Sequence, residues 1–163
     1  MAPQRVRLTL SNEGSLETTH ANYIAERFGR VGISGRRVSS RDCFLFHKTT
    51  NRALYVQELV AARKRKLDDV LFFNERDELT EGTIHNLFLV QGDVWRTPVV
   101  ACGLLPGIFR QRILKQRLNS CEAILRLADL KHADAVYLCN SVRGIFKVKV
   151  DWSKKSSCPR RRG

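Results

Sequence analysis

The residues with the most pointed chemistry fall in three short segments. In LTEGTIHNLFLV (79–90), Glu81 stands among apolar residues with Asn86 close behind it. A carboxylate in such surroundings is costly unless partnered, which makes Glu81 a candidate for charge chemistry. The commoner fate of a strand-end glutamate is solvent or a neighbouring arginine. In GLLPGIFRQRIL (103–114), Pro106 and Gly107 precede an expected helix whose first turns carry Arg110 and Arg112. The free N–H groups of a helix start can hold phosphate, and glycine permits close approach, although most loop-to-helix junctions hold nothing. In LCNSVRG (138–144), an apolar segment runs into Asn140, Ser141 and Arg143, polar groups that either line a site or cap a turn. Lys48, read alone, is one cation among 29 lysines and arginines. The sequence has no glycine-rich phosphate loop and no serine-hydrolase elbow. His20, His47, His85 and His132 are too separated to suggest a metal cluster, and His47 and His85 read as structural.

These segments need elements to position them. Residues 5–10 alternate as a strand, 11–14 give a turn signal and 15–20 read as the returning strand. Residues 21–41, rich in glycine, arginine and serine, read as a linker or long loop with at most two helical turns over 21–28. A short apolar segment, 42–48, ends at Lys48. Helical spacing follows over 52–66, with Leu54, Val56, Leu59, Val60 and Ala62 on one stripe. Strands are expected at 69–74, 79–83, 86–91, 94–97, 122–127, 135–140 and 144–151, with helices over 108–118 and ADLKHAD. Strands and helices mix without strict alternation, so the expected fold class is α+β rather than doubly wound.

The bulk properties narrow the field. At 163 residues and 43% hydrophobic composition, the chain can bury the core of one domain. No apolar run approaches the roughly 20 residues that span a bilayer, and MAPQRVRLTL lacks a signal peptide's apolar stretch, so the expectation is a cytoplasmic protein without a membrane partner. Five cysteines with no CxxC pair suggest neither a disulfide framework nor zinc, and most are expected in the core. The formal charge of +13 could attract acidic metabolites or nucleic acid. The dense clusters, however, are only AARKRKLDD (61–69) and KKSSCPRRRG (154–163), expected as a helix end and a disordered tail. Nucleic-acid binding is therefore not the expected role.

In chain order, FLFHKTTNRALY (44–55), NERDELTEGTIHNLFLV (74–90), TPVVACGLLPGIFRQ (97–111) and ADAVYLCNSVRG (133–144) resemble the class IV aminotransferases. This family includes branched-chain and D-amino acid aminotransferases and aminodeoxychorismate lyases. The resemblance implies the large domain of an enzyme that depends on pyridoxal phosphate (PLP): a mixed sheet or pseudo-barrel with packed helices over 42–151. The last strands of a small N-terminal domain would lie over 1–20, a connection over 21–41 and a basic tail over 152–163. Lys48 matches the lysine that holds PLP covalently, Glu81 the carboxylate opposite the pyridine nitrogen, and Asn86 an asparagine supporting that strand pair. Ile108 and Phe109 match backbone donors to the phosphate, and Ser141 a hydroxyl that also reaches it. Asn140 and Val142 would flank the pocket wall, and Arg143 would meet a substrate carboxylate.

HKTTNR and LCNSVRG look most like aminodeoxychorismate lyase, which converts 4-amino-4-deoxychorismate into 4-aminobenzoate and pyruvate on the way to folate. By that resemblance, Lys48 would remove the ring C4 proton before pyruvate leaves. The alternatives are a class IV amino-acid aminotransferase, acting on branched-chain or D-amino acids, and a non-catalytic basic interaction protein. A homodimer and a chorismate-aminating synthase are the partners implied. The sequence departs from the pattern in three places. The small-domain arginine that clamps the phosphate has no counterpart, so the chain reads as lacking that domain and its activity alone stands in question. Phe109 replaces a small hydroxyl residue found in several relatives. The segment after Asp151 does not follow the family.

Overall fold

The computed structural model describes residues 3–24 and 29–153. Strands β1 (Gln4–Leu10) and β2 (Leu16–Asn22) pair antiparallel across the turn at Gly14, where φ of +85° suits a glycine. They form a two-stranded sheet of their own. The remaining strands are β3 (Arg30–Val38), β4 (Asp69–Asn74), β5 (Leu79–Gly82), β6 (Asn86–Gln91), β7 (Val94–Pro98), β8 (Ser120–Ala123), β9 (Ala135–Asn140) and β10 (Gly144–Val150). They build one mixed sheet in the order β5-β4-β3-β10-β9-β6-β7-β8. Helix α1 (Ala53–Lys64) joins β3 to β4, α2 (Ile108–Gln116) joins β7 to β8, and α3 (Leu127–His132) joins β8 to β9.

The sheet curls until its ends approach. Leu79 of β5 donates its N–H to the Leu125 carbonyl at 2.7 Å, and Glu78 bridges to Arg126, just beyond β8. The period-two alternation of the strands sorts the core into layers. Val31, Leu71, Phe73, Leu79, Leu87, Leu89 and Leu138 point into the curl. Val70 and Phe72 face outward onto α1, and Phe88 and Cys139 onto α2. β4 is buried along its whole length, so its DVLFFN run is continuous rather than alternating. The α+β expectation and the curled mixed sheet therefore hold.

Several local expectations do not. The glycine- and arginine-rich stretch taken as connection contains β3, a partly buried strand pairing parallel with both β4 and β10. Its Gly32 sits close to Leu67: a Cβ there would lie 2.8 Å from Leu67 Cδ1, so that side chain would have to shift. Residues 21 and 22 belong to β2, and the possible turns over 25–28 lie outside the described residues. Helix α1 buries Tyr55, Glu58 and Ala62 instead of a stripe through Val56 and Val60, which are exposed. Buried Glu58 is tolerated because Ser34 Oγ donates to its Oε2 at 2.8 Å. The strand expected at 122–127 is β8, ending at Ala123, and Leu127 already starts α3. Cys102 and Cys139 are buried, but Cys43 and Cys121 are exposed, and Cys158 and the basic tail from 154 on lie outside the described residues. Among the described residues no helix is long and apolar enough to cross a membrane, and no group of three metal-ligating side chains converges.

Candidate functional site

The site is organised around the short connection from β5 to β6, residues Gly82–His85. Asp69, fully buried on β4, clamps it from below. Asp69 Oδ1 accepts from the Thr83 N–H at 2.8 Å and from the Thr83 hydroxyl, while its Oδ2 meets His85 Nδ1 at 2.8 Å. The fit leaves room only for glycine at position 82, where a Cβ would lie 2.6 Å from Asp69 Oδ2. Two further side chains reach the same connection. Arg52 donates to the Thr83 carbonyl, and Asn140 Nδ2 donates to the Ile84 carbonyl at 3.1 Å.

This clamp fixes the strand end that carries Glu81. Its carboxylate is buried, at 4% exposure, and three donors meet it. Asn86 Nδ2 and the Leu105 N–H reach Oε2 at 3.1 and 3.3 Å, and the Tyr55 hydroxyl reaches Oε1 at 3.3 Å. These bonds are long and only partly compensate lost hydration. Burial pushes the carboxyl up to about 8, against the opposing pull of the Arg52 guanidinium. A buried acid left so high is suited to a cationic N–H partner, whose charge would restore the carboxylate. The Tyr55 phenol is itself raised by burial and by Glu81, so it stays protonated and remains the donor.

Asn86 ties this carboxylate to the second half of the site. Its Nδ2 also donates to the Leu105 carbonyl at 2.9 Å, and its Oδ1 lies against Gly107, where a Cβ would come within 2.1 Å. Gly107 is the N-cap of α2 and has no side chain with which to cap it. The first N–H groups of the helix, on Ile108 and Phe109, thus lack intrahelical acceptors and keep the positive end of the helix open to an anion. Phe109 packs against the buried cluster of Phe88, Ile113 and Cys139, and its ring tip lies 3.9 Å from where a Cβ on Gly144 would stand. That contact brings the β9–β10 turn alongside the first turn of α2. In the turn, Asn140 Oδ1 accepts from the Val142 and Arg143 N–H groups at 3.0 and 2.8 Å, leaving Ser141 exposed at its tip.

The structure therefore gathers Glu81, Asn86, Ile108, Phe109 and Asn140, with Ser141 on the adjoining turn. Lys48 is exposed in the extended stretch between a 3-10 turn (Cys43–Phe46) and α1. The start of α1 ties this stretch to the site, since Arg52 and Tyr55 both reach the Glu81 strand end. Val142 and Arg143 lie beside the β1–β2 hairpin. With Arg5, Asn22, Tyr23 and Ile24 they line a cavity of about 170 Å3. Arg110 does not serve the helix start. It is buried, donating to Thr97 Oγ1 at 3.1 Å, to the Pro98 carbonyl at 2.6 Å and to Glu122. Sequence reading passed over Tyr55, Arg52 and Asp69. The one available signal was Tyr55, which follows Lys48 closely in the FLFHKTTNRALY segment.

The profile of the family described as amino-transferase class IV matches residues 6–150. The chain belongs to that family. A Schizosaccharomyces pombe protein assigned as an aminodeoxychorismate lyase is 33% identical over 105 residues, covering 62% of this class IV chain and 46% of its own. A Mesorhizobium loti protein assigned as an amino-acid aminotransferase superposes with a TM-score of 0.84 at 35% identity, over 91% of this chain and 73% of its own. A hypothetical aminotransferase from Mycobacterium tuberculosis, solved in a PLP-bound form, shares the fold at a TM-score of 0.78 and 16% identity, over 96% of this chain and 63% of its own. The class IV chain spans about half the length of the curated relatives it matches. Its relatives include both lyases and aminotransferases, so membership fixes the family and not the reaction.

Proposed function

We propose that the chain carries the large-domain part of a PLP site and acts as an aminodeoxychorismate lyase, releasing 4-aminobenzoate and pyruvate. The supporting observation is the buried Glu81, under-compensated by long hydrogen bonds, beside an uncapped helix start. A pyridine nitrogen fits the carboxylate and a phosphate fits the helix N-terminus. When bound, PLP supplies the electron sink that makes a substrate proton removable. The remaining roles belong to the chain. Lys48 Nζ would hold the cofactor covalently and would serve as the base that takes the substrate's ring proton. Glu81 keeps the ring nitrogen protonated, and Asn86 holds Glu81 and the Leu105–Gly107 loop in one frame. The Ile108 and Phe109 N–H groups and Ser141 Oγ hold the phosphate. Asn140 and Val142 form the adjoining wall, and Arg143 meets a substrate carboxylate.

The likeness of HKTTNR and LCNSVRG to the lyases favours that reaction over amino-acid transamination. In this reading residues 1–20 belong to a small domain, the working unit is a cytoplasmic homodimer, and a chorismate-aminating synthase supplies the substrate. Purified protein given PLP is expected to turn yellow, and borohydride to bleach the colour and fix the group on Lys48, as read by peptide mass spectrometry. Lys48→Ala should abolish the fixation. Protein that stays colourless with added PLP would sink the reading. Release of 4-aminobenzoate against amino transfer to a 2-oxo acid then separates lyase from aminotransferase.

A further inference from the structure

Tyr55 is an unexpected member of the site. It is buried on α1, its ring packed edge-on against Phe72 at 4.8 Å between centroids, with the Arg52 guanidinium 4.5 Å from the ring centre. A ring held from two sides has little freedom to turn, so its hydroxyl is delivered to one place. That place is Glu81 Oε1, whereas Asn86 and the Leu105 N–H both act on Oε2. The same first turn of α1 sends Arg52 to the Thr83 carbonyl, so the segment that begins at Lys48 is fastened to the Glu81 strand end at two points.

We propose that Tyr55 is a positioning residue that acts through Glu81: its hydroxyl fixes Oε1, aiming the carboxylate and favouring its charged form. The proposal rests on the PLP reading for what Glu81 is aimed at. A tyrosine was not needed for packing alone, since phenylalanine would fill the same space against Phe72, and a buried phenol is kept where its O–H finds an acceptor. The groups facing Glu81 are Arg52 and Tyr55 from α1, Asp69 from β4, Asn86 from β6 and the Leu105 N–H. Arg52, the Leu105 N–H and Tyr55 favour its charge, while burial and Asp69 oppose it.

Tyr55→Phe keeps the ring and removes only the donor, so the variant should melt with the wild type. In the PLP-free protein, the Glu81 carboxyl titration, followed by 13C NMR, is expected to move upward by about half a pH unit or more, the scale of one long hydrogen bond. PLP affinity at neutral pH should fall several-fold. In a Glu81→Gln background, Tyr55→Phe should bring no further loss, because the carboxylate through which it acts is gone. An unmoved Glu81 midpoint, or losses that simply add in the double variant, overturns the role. If the wild type binds no PLP, the cofactor reading and the aiming role fail together. The titration midpoint would then show separately whether the Tyr55–Glu81 coupling exists.

Discussion

At the scale of single residues, burial decides what Glu81 is. Its carboxyl sits up at about 8 in the folded protein without a bound partner, against 4.5 as an ordinary glutamate. Between those values the folded state holds a proton that the unfolded state has released. The group's contribution to stability is therefore complete below about 4.5 and is lost as pH rises through 8. Glu75 and Glu78 run the other way. Bonds from Ser40 hold Glu75 down to about 2, and Arg76 holds Glu78 down to about 2. Their contribution is present above the ordinary carboxyl range and disappears as pH falls toward 2, outside the neutral window. Urea melts of the PLP-free protein at pH 6 and pH 9 are expected to show a lower midpoint at the higher pH. Glu81→Gln should remove most of that difference, and an undiminished difference in the variant would assign it to other groups.

At the scale of elements, the β5–β6 connection is the part that must not move. It bears Glu81 at one end and Asn86 at the other, and three separate elements hold it. Asp69 from β4 is the central tie, accepting from Thr83 and pairing with His85, both fully or nearly fully buried. Asp69→Ala leaves His85 and the Thr83 N–H without that acceptor in a dry interior. The expected cost is about 3 kcal/mol in urea unfolding. Glu81 should also lose its fixed direction, which under the proposed function would weaken PLP binding beyond the loss in stability. A variant as stable as the wild type would show that Arg52, Asn140 and the backbone hold the connection without Asp69.

At the scale of the whole molecule, the chain divides into a curled sheet with a layered core and a hairpin with none. Val6, Leu8, Leu10 and Leu16 on β1 and β2 are each more than 60% exposed, and strand pairing places them on one face. A two-stranded sheet without a packed face is marginally stable. Amides of β1 and β2 are expected to exchange with deuterium orders of magnitude faster than those of β4, which is buried throughout. Equal protection in the two regions would mean that the apolar face of the hairpin is covered in solution, and dilution would show whether a second copy covers it.

The sequence by itself determined the α+β class, most strand positions, the helix start at Gly107 and the family, because period-two alternation, turn residues and motif order are local properties of the chain. It could not reveal β3, whose glycines and arginines read as loop until β4 and β10 are seen on either side. Nor could it show which face of α1 is inward: Val56 and Val60 are more apolar than Glu58, yet Ser34 makes Glu58 the buried residue. Glu81 stood out as a carboxylate among apolar neighbours, but its burial and its three donors come from α1, β6 and the Leu105 loop. Tyr55 and Asp69 became part of the site only in three dimensions. Their roles depend on an acceptor or donor distant in sequence, and such pairings are fixed by the packing of elements rather than by local spacing.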